Sequence, residues 1–335
     1  MRRRKGEKVD GWLILDKPAG ITSTQAVNVV RRLFNAQKAG HAGTLDPLAT
    51  GILPIALGEA TKTVPYAMDG RKTYRFTLKF GEARSTDDAE GEVTQTSDKR
   101  PTDDEIRAAL PAFIGAIEQV PPAFSAIKVE GARAYDLARA GEAVELKPRQ
   151  VTIYGFSLLG RPNPDEAQFE VRCGKGAYMR ALGRDLAIKL GTCGHIANLR
   201  RTAVGPFTEA AAISLETLKS LGHIPAAFEH LLPIETALDD IPALALTATE
   251  AIRLRSGQPV GLLHRQDRDA AGGQGPAQVE GGLERQHGHE QLLREHRAEL
   301  VHRAAREPAV LRREPRREQL PRARLVEVLG PLARE

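Results

Sequence analysis

Residues Gly40–Gly51 read GHAGTLDPLATG, and what this stretch does decides how the first half of the chain is understood. Its three glycines, Gly40, Gly43 and Gly51, permit tight or left-handed backbone. Pro47 stiffens the position after Asp46, the one carboxylate, which stands between the apolar Leu45 and Leu48. An acid held between leucines on a constrained loop is partly desolvated, which makes Asp46 a candidate base or nucleophile. Asp before Pro is also a common turn residue, and the spacing by itself favours the turn while leaving both roles open.

The flanks read as regular structure. Before the loop come a strand at Trp12 to Leu15, a Gly/Pro turn, and a helix N-capped by Thr22, Ser23 or Thr24 and running to about Phe34. After it comes the apolar run Ile52 to Leu57. KTYRFTLKF, residues 72–80, alternates at period two as a half-buried strand does. Ser85 to Asp104 is acidic and turn-rich and reads as an exposed loop. Thr102 with Asp103, Asp104 and Glu105 opens a helix through Phe113. Strand patterns return at Val151 to Leu159 and Gln168 to Cys173, followed by a helix from about Tyr178 to Leu190. Strands and helices mix without a βαβ rhythm, so the expected class is α+β.

Composition sets outer bounds. Of 335 residues, 48 are basic and 43 acidic, a net charge of +5 that excludes a broadly basic surface, so any nucleic-acid contact must be local. Two cysteines, Cys173 and Cys193, are too few to staple such a chain and form no C-x-x-C pair, which fits a reducing cytoplasm. No apolar run approaches the roughly 18 residues of a membrane span. The P-loop, dinucleotide, serine-hydrolase and zincin motifs are all missing.

All fifteen aromatic rings lie between Trp12 and Phe228. From His264 to Glu335 only ten residue types occur, with fourteen Arg and no Lys, Ile, Ser, Thr or Asn. Such a segment is a poor sheet former, and helical fragments or disorder are expected there. Its His289 and His296 match no metal-ligand spacing, so no metal site is expected.

GHAGTLDPLATG together with LDKPAGITS (15–23) resembles the bacterial TruB-type tRNA pseudouridine synthases, and the resemblance continues through VPPAFSAIKVEGARAYDLARAG (120–141), CGKGAYMRALGRDLA (173–187) and LRRTAVGPF (199–207). It implies a pseudouridine-synthase-like mixed, mainly antiparallel sheet with flanking helices, and isomerisation of the T-loop uridine at position 55 of tRNA without a cofactor, metal or guide RNA. The alternative is a tRNA-binding folding factor with little turnover. The resemblance makes Asp46 the catalytic carboxylate and Arg180 its basic partner. It places His41, Tyr74, Tyr178 and Leu199 with Arg180 around the substrate, Tyr74 as the ring that stacks on the flipped base. Lys17, Arg200 and Arg201 become phosphate contacts. Ala177 and Met179 stand where the family commonly has threonine and isoleucine, small changes beside Tyr178 and Arg180.

The expected organisation is a catalytic domain at 1–245, the start of a truncated PUA-like domain at 246–263, and the Arg-rich tail at 264–335. The abrupt change of composition is that of GC-rich codons translated out of frame, and points to a shifted reading frame near 260–265. A monomer acting on the T-arm is expected.

Overall fold

Thr22 is the N-cap of the first helix: its Oγ1 accepts from the Gln25 amide (3.1 Å) while Gln25 Oε1 accepts from the Thr22 amide (2.8 Å). This reciprocal cap contributes about 1 kcal/mol. The helix, α1 (Ser23–Leu33), buries Ala26, Val27 and Val30 against β1 (Gly11–Lys17), β2 (Ala39–His41) and β3 (Thr50–Leu57). The computed structural model describes residues 6–125, 128–129, 132–133, 146–222, 225–239, 241 and 246–258.

After β3 come α2 (Val64–Asp69), β4 (Lys72–Phe80), the ribbon β5 (Glu82–Arg84) and β6 (Val93–Thr96), α3 (Asp103–Ala109) and β7 (Gly115–Gln119). The short pair β8 (Lys128–Val129) and β9 (Ala132–Arg133) precedes the long β10 (Arg149–Asn163), β11 (Glu166–Cys173) and α4 (Met179–Lys189). Then follow β12 (Gly194–Val204), β13 (Phe207–Thr208), β14 (Ile213–Ser214), α5 (Leu215–Leu221), α6 (Pro225–Phe228) and β15 (Leu231–Leu232).

Eleven strands form one sheet in the order β14-β1-β3-β12-β4-β11-β10-β7, with β2 on β3, β13 on β12 and β15 on β1. Among the described residues of this sheet only β1 with β14 and β3 with β12 pair in parallel. The fold is the expected α+β class, mixed and mainly antiparallel with helices alongside.

Burial explains the sequence patterns. Leu13 and Leu15 of β1 face the main core, whereas Trp12 and Ile14 face a second cluster with Ile52, Ala56 and Phe207. Both faces of β1 are therefore covered, which is why its apolar run does not alternate. Trp12 and Phe207 pack with centroids 5.1 Å apart. On β4, Phe76, Leu78 and Phe80 point into the main core, where Phe76, Phe156 and Phe169 pack at 5.3–6.0 Å.

Two stretches differ from expectation. Ser85 to Asp104 is not simply an exposed loop: it contains β6, and Asp88 is buried at 2% exposure because the turn 87–89 pairs its backbone with Ile196. β12, in the middle of the sheet, was not legible as a strand, since register shifts at Ile196/Asn198 and Arg201/Ala203 interrupt its period.

The chain divides into two units, Met1–Ala237 and the residues from Leu238 onward. In the second, α7 (Ala248–Arg255) starts from a Thr247–Glu250 capping box. The Arg-rich tail expected at 264–335 lies outside the described residues. Among the described residues no helix is long and apolar enough to cross a membrane.

Candidate active site

The loop between β2 and β3 is held from four sides. Its start is tied by the Ala42 amide, which donates to Pro54 O (2.9 Å). Ser23, at the start of α1, uses one hydroxyl twice: it accepts from the Leu45 amide (2.8 Å) and donates to Leu45 O (3.0 Å). Lys17 Nζ donates to Pro18 O and Ile21 O (2.8 Å each) and Pro47 O (3.3 Å). Arg201 Nε donates to Ile52 O (2.8 Å), and its other nitrogens reach Thr44 O (3.3 Å) and Gly43 O (3.0 Å). Leu45 and Ala49 are buried as anchors, while the Asp46 side chain keeps 38% exposure. Asp46 is thus a fixed acid facing an opening.

Arg180, in the first turn of α4, meets it. Its Nη2 lies 2.9 Å from Asp46 Oδ2 and donates to Phe124 O (2.9 Å); its Nη1 donates to Thr86 O (3.0 Å) and lies 3.5 Å from Asp88 Oδ2. Arg180 and Asp88 are almost wholly buried, at 6% and 3% side-chain exposure. The guanidinium is therefore shared between one open carboxylate and one closed one, and charge-assisted bonds of this kind are short and strong. One turn further along α4, Arg184 pairs with Asp87 (2.9 Å) and donates to Val120 O (2.9 Å).

Of the remaining candidates, Tyr74 and Tyr178 lie close enough to Asp46 to feel its charge. Tyr74 of β4 stands opposite Arg201 of β12; burial pushes its phenol's pKa up, against the pull of that guanidinium. Tyr178 is the N-cap residue of α4, and burial, with the Asp46 charge adding, raises its phenol too. Gln119, at 2% exposure, grips the Tyr178 backbone at both ends: Nε2 donates to Tyr178 O (3.1 Å) and Oε1 accepts from Tyr178 N (2.8 Å). Leu199 is buried on β12 beside Phe76. His41 closes β2 opposite Ile55; its Nδ1 is buried without a hydrogen-bond partner, and burial, with Arg201 adding, lowers its pKa.

The three expected phosphate contacts are corrected in part. Lys17 is wholly buried, its ammonium satisfied by three carbonyls, and burial lowers its pKa to about 8 against the opposing pull of Asp46. Arg201 is likewise turned inward at 1% exposure. Both hold the loop from beneath and neither offers its charge to solvent. Arg200 points to the other face, where it is bidentate to Asp16 (2.9 Å to each oxygen) and bonds Glu209 (2.7 Å). It is apart from the Asp46 group.

Gln119, Asp87, Asp88, Ser23 and Arg184 were not singled out from the sequence. Asp87 and Asp88 sit in STDDAEGE, which by composition is an exposed acidic turn; nothing local signals that an arginine some ninety residues later closes over it. Among the described residues no cluster of three His, Cys, Asp or Glu side chains could hold a metal ion.

A family model described as TruB family pseudouridylate synthase, N-terminal domain, matches residues 31–179, and one described as tRNA pseudouridylate synthase B C-terminal domain matches 180–239. The chain is 61% identical over 265 residues to the tRNA pseudouridine synthase B of Caulobacter vibrioides, covering 79% of this chain and 86% of that protein. It is 62% identical over 264 residues to the protein of the same name from Gluconacetobacter diazotrophicus, covering 78% and 86%. Among solved structures, the crystal structure of a Cbf5-Nop10-Gar1 complex is similar with a TM-score of 0.58 at 27% identity, over 74% of this chain and 67% of that one. An H/ACA RNP bound to a substrate RNA containing 2'-deoxyuridine shares the fold, with a TM-score of 0.56 at 24% identity over 76% and 73%.

Proposed function

Because the chain belongs to the TruB family of pseudouridylate synthases, we propose that it isomerises a uridine of tRNA to pseudouridine with Asp46 as the catalytic carboxylate. In this isomerisation the N1–C1′ bond breaks, the uracil turns within the site, and a C5–C1′ bond forms; C5 gives up its proton and N1 takes one up. No oxidant, hydrolysis or second substrate is needed, so one anchored carboxylate meets the chemical demand. The observation that carries this reading is the Asp46–Arg180 contact at 2.9 Å, in which the arginine is buried and the acid remains open to a ligand.

A uridine inside a folded RNA must leave its stack to reach Asp46. Tyr74 is the face on which the extruded base stacks, with Tyr178 and Leu199 as the other walls and His41 at the rim where the RNA enters. The substrate is the T-loop uridine of the T-arm, and the enzyme acts as a monomer in the cytoplasm without a guide RNA. The much higher identity to proteins named tRNA pseudouridine synthase B than to the Cbf5 complex supports the guide-free reading. Residues 1–245 form the catalytic domain, and 246–263 begin a truncated PUA-like module. The frame shift near 260–265 is tested by resequencing the encoding DNA; an intact gene giving this same tail in the purified protein rejects it.

The function is tested with tRNA tritiated at uridine C5. Wild-type protein should release label to water. Asp46→Asn should release none while its Kd for tRNA stays within about threefold, a change below 1 kcal/mol, because the amide keeps the shape and loses only the ionised oxygen. Binding without any wild-type release would instead identify a tRNA-folding factor.

A further inference from the structure

We propose that Arg201 is a positioning residue of this reaction, its buried guanidinium fixing the Asp46 loop in one geometry opposite Tyr74. The proposal rests on the reading of Asp46 as the catalytic carboxylate. Arg201 donates to Gly43 O and Thr44 O on the limb that leads to Asp46, and to Ile52 O on the limb that leaves it. The same residue stands opposite Tyr74 across the β4–β12 pairing. One planar fork therefore holds both limbs of the carboxylate's loop, on the residue that neighbours the ring on which the base would stack.

The backbone is matched to this arrangement. Gly51 pairs with Arg201 across the parallel β3–β12 contact, has φ +96°, and a Cβ there would lie 2.2 Å from Arg201 O. Gly43 has φ +103°, and a Cβ on it would come to 3.4 Å from the guanidinium. Gly51 thus stands where it admits the Arg201 backbone closely, while at Gly43 the positive φ rather than space favours glycine.

A structural role alone accounts poorly for the charge. Among the described residues Arg201 donates to carbonyls and pairs with no carboxylate, so its burial costs stability that a well-packed apolar side chain would not. After burial, which is the larger cause for both, the field of Arg201 further lowers the pKa of His41 and of Lys72. What an apolar residue could not supply is a rigid set of donors spanning both limbs, and a lysine, a point charge on a flexible stem, could not supply it either.

The test compares wild type with Arg201→Lys in three measurements: single-turnover tritium release at saturating enzyme, Kd for tRNA, and amide hydrogen exchange over residues 40–51. The single-turnover constant counts only folded enzyme with tRNA bound, so partial unfolding does not move it. The expected result is a rate constant lowered about 10- to 100-fold, since small misplacements of reacting groups carry losses of that size. Kd should stay within about threefold, and exchange over 40–51 should rise about tenfold. A rate within about threefold of wild type, or a loss confined to Kd, overturns the proposal. Should the lysine variant not fold, Arg201→Met, which removes the buried charge together with the fork, is held to the same outcomes. If wild type releases no tritium, the catalytic reading fails while the exchange comparison still decides whether Arg201 holds the loop. If wild type releases label and the variant keeps pace, only the positioning inference fails.

Discussion

Asp46 and Asp88 touch the same guanidinium from opposite sides, one open to solvent and one closed off. Removing the closed charge leaves Arg180 buried with half its carboxylate partners. We expect Asp88→Asn to lower stability by about 3 kcal/mol, the lower end for a broken buried pair, because Asp46 remains. The urea midpoint measures this, and single-turnover release should fall with it as Arg180 loses its second anchor. His41 gives the pH dependence. Its folded-state pKa lies below the ordinary 6.5, so on acidification the unfolded chain binds the proton first. Stability is then full above about 6.5 and is lost as pH falls from there toward the folded value. His195, lowered by burial in the same way, adds to this loss. The urea midpoint should therefore drop between about pH 7.5 and 5.5, and His41→Gln should make the drop smaller; an unchanged drop would remove His41 from the account. Asp46 was visible at this scale only as an acid on a stiff loop, equally a turn residue, since what distinguishes it is an arginine 134 positions away.

Between residue and molecule, local signals worked where the partner is close in sequence. The Thr22 and Thr102 caps and the alternation of β4 each depend on neighbours within a few positions. They failed for β7 and β12, which are strands because of what flanks them. β7 is five residues long and carries Gln119, whose amide clasps Tyr178 across fifty-nine positions. We expect Gln119→Leu to cost about 1–3 kcal/mol, the penalty of leaving the Tyr178 amide unpaired while its carbonyl keeps the Leu182 bond, and to loosen the first turn that presents Arg180. Thermal denaturation would show the first effect. Tritium release at saturating enzyme would show the second, and a wild-type rate would mean that Tyr178 and Arg180 do not depend on the clasp.

At the scale of the whole chain, every residue of the candidate site, from Lys17 to Arg201, lies in the unit Met1–Ala237. A version lacking residues 264–335 should therefore keep its single-turnover rate within about threefold of the full chain, as expected when a domain carries its own core. A loss of rate at saturating enzyme would show that the tail contributes to chemistry. The sequence by itself determined the α+β class and the family, because long motifs in order and short-range periodicity survive without coordinates. Only the tertiary structure decided which charges face the substrate. Lys17 and Arg201 have the composition of surface phosphate contacts, yet lie inside the loop they support. Asp88 has the composition of an exposed turn, yet lies against Arg180. Whether a charged side chain meets water or a buried partner depends on groups brought together by the sheet from distant positions, and burial of that kind leaves no mark on neighbouring residues.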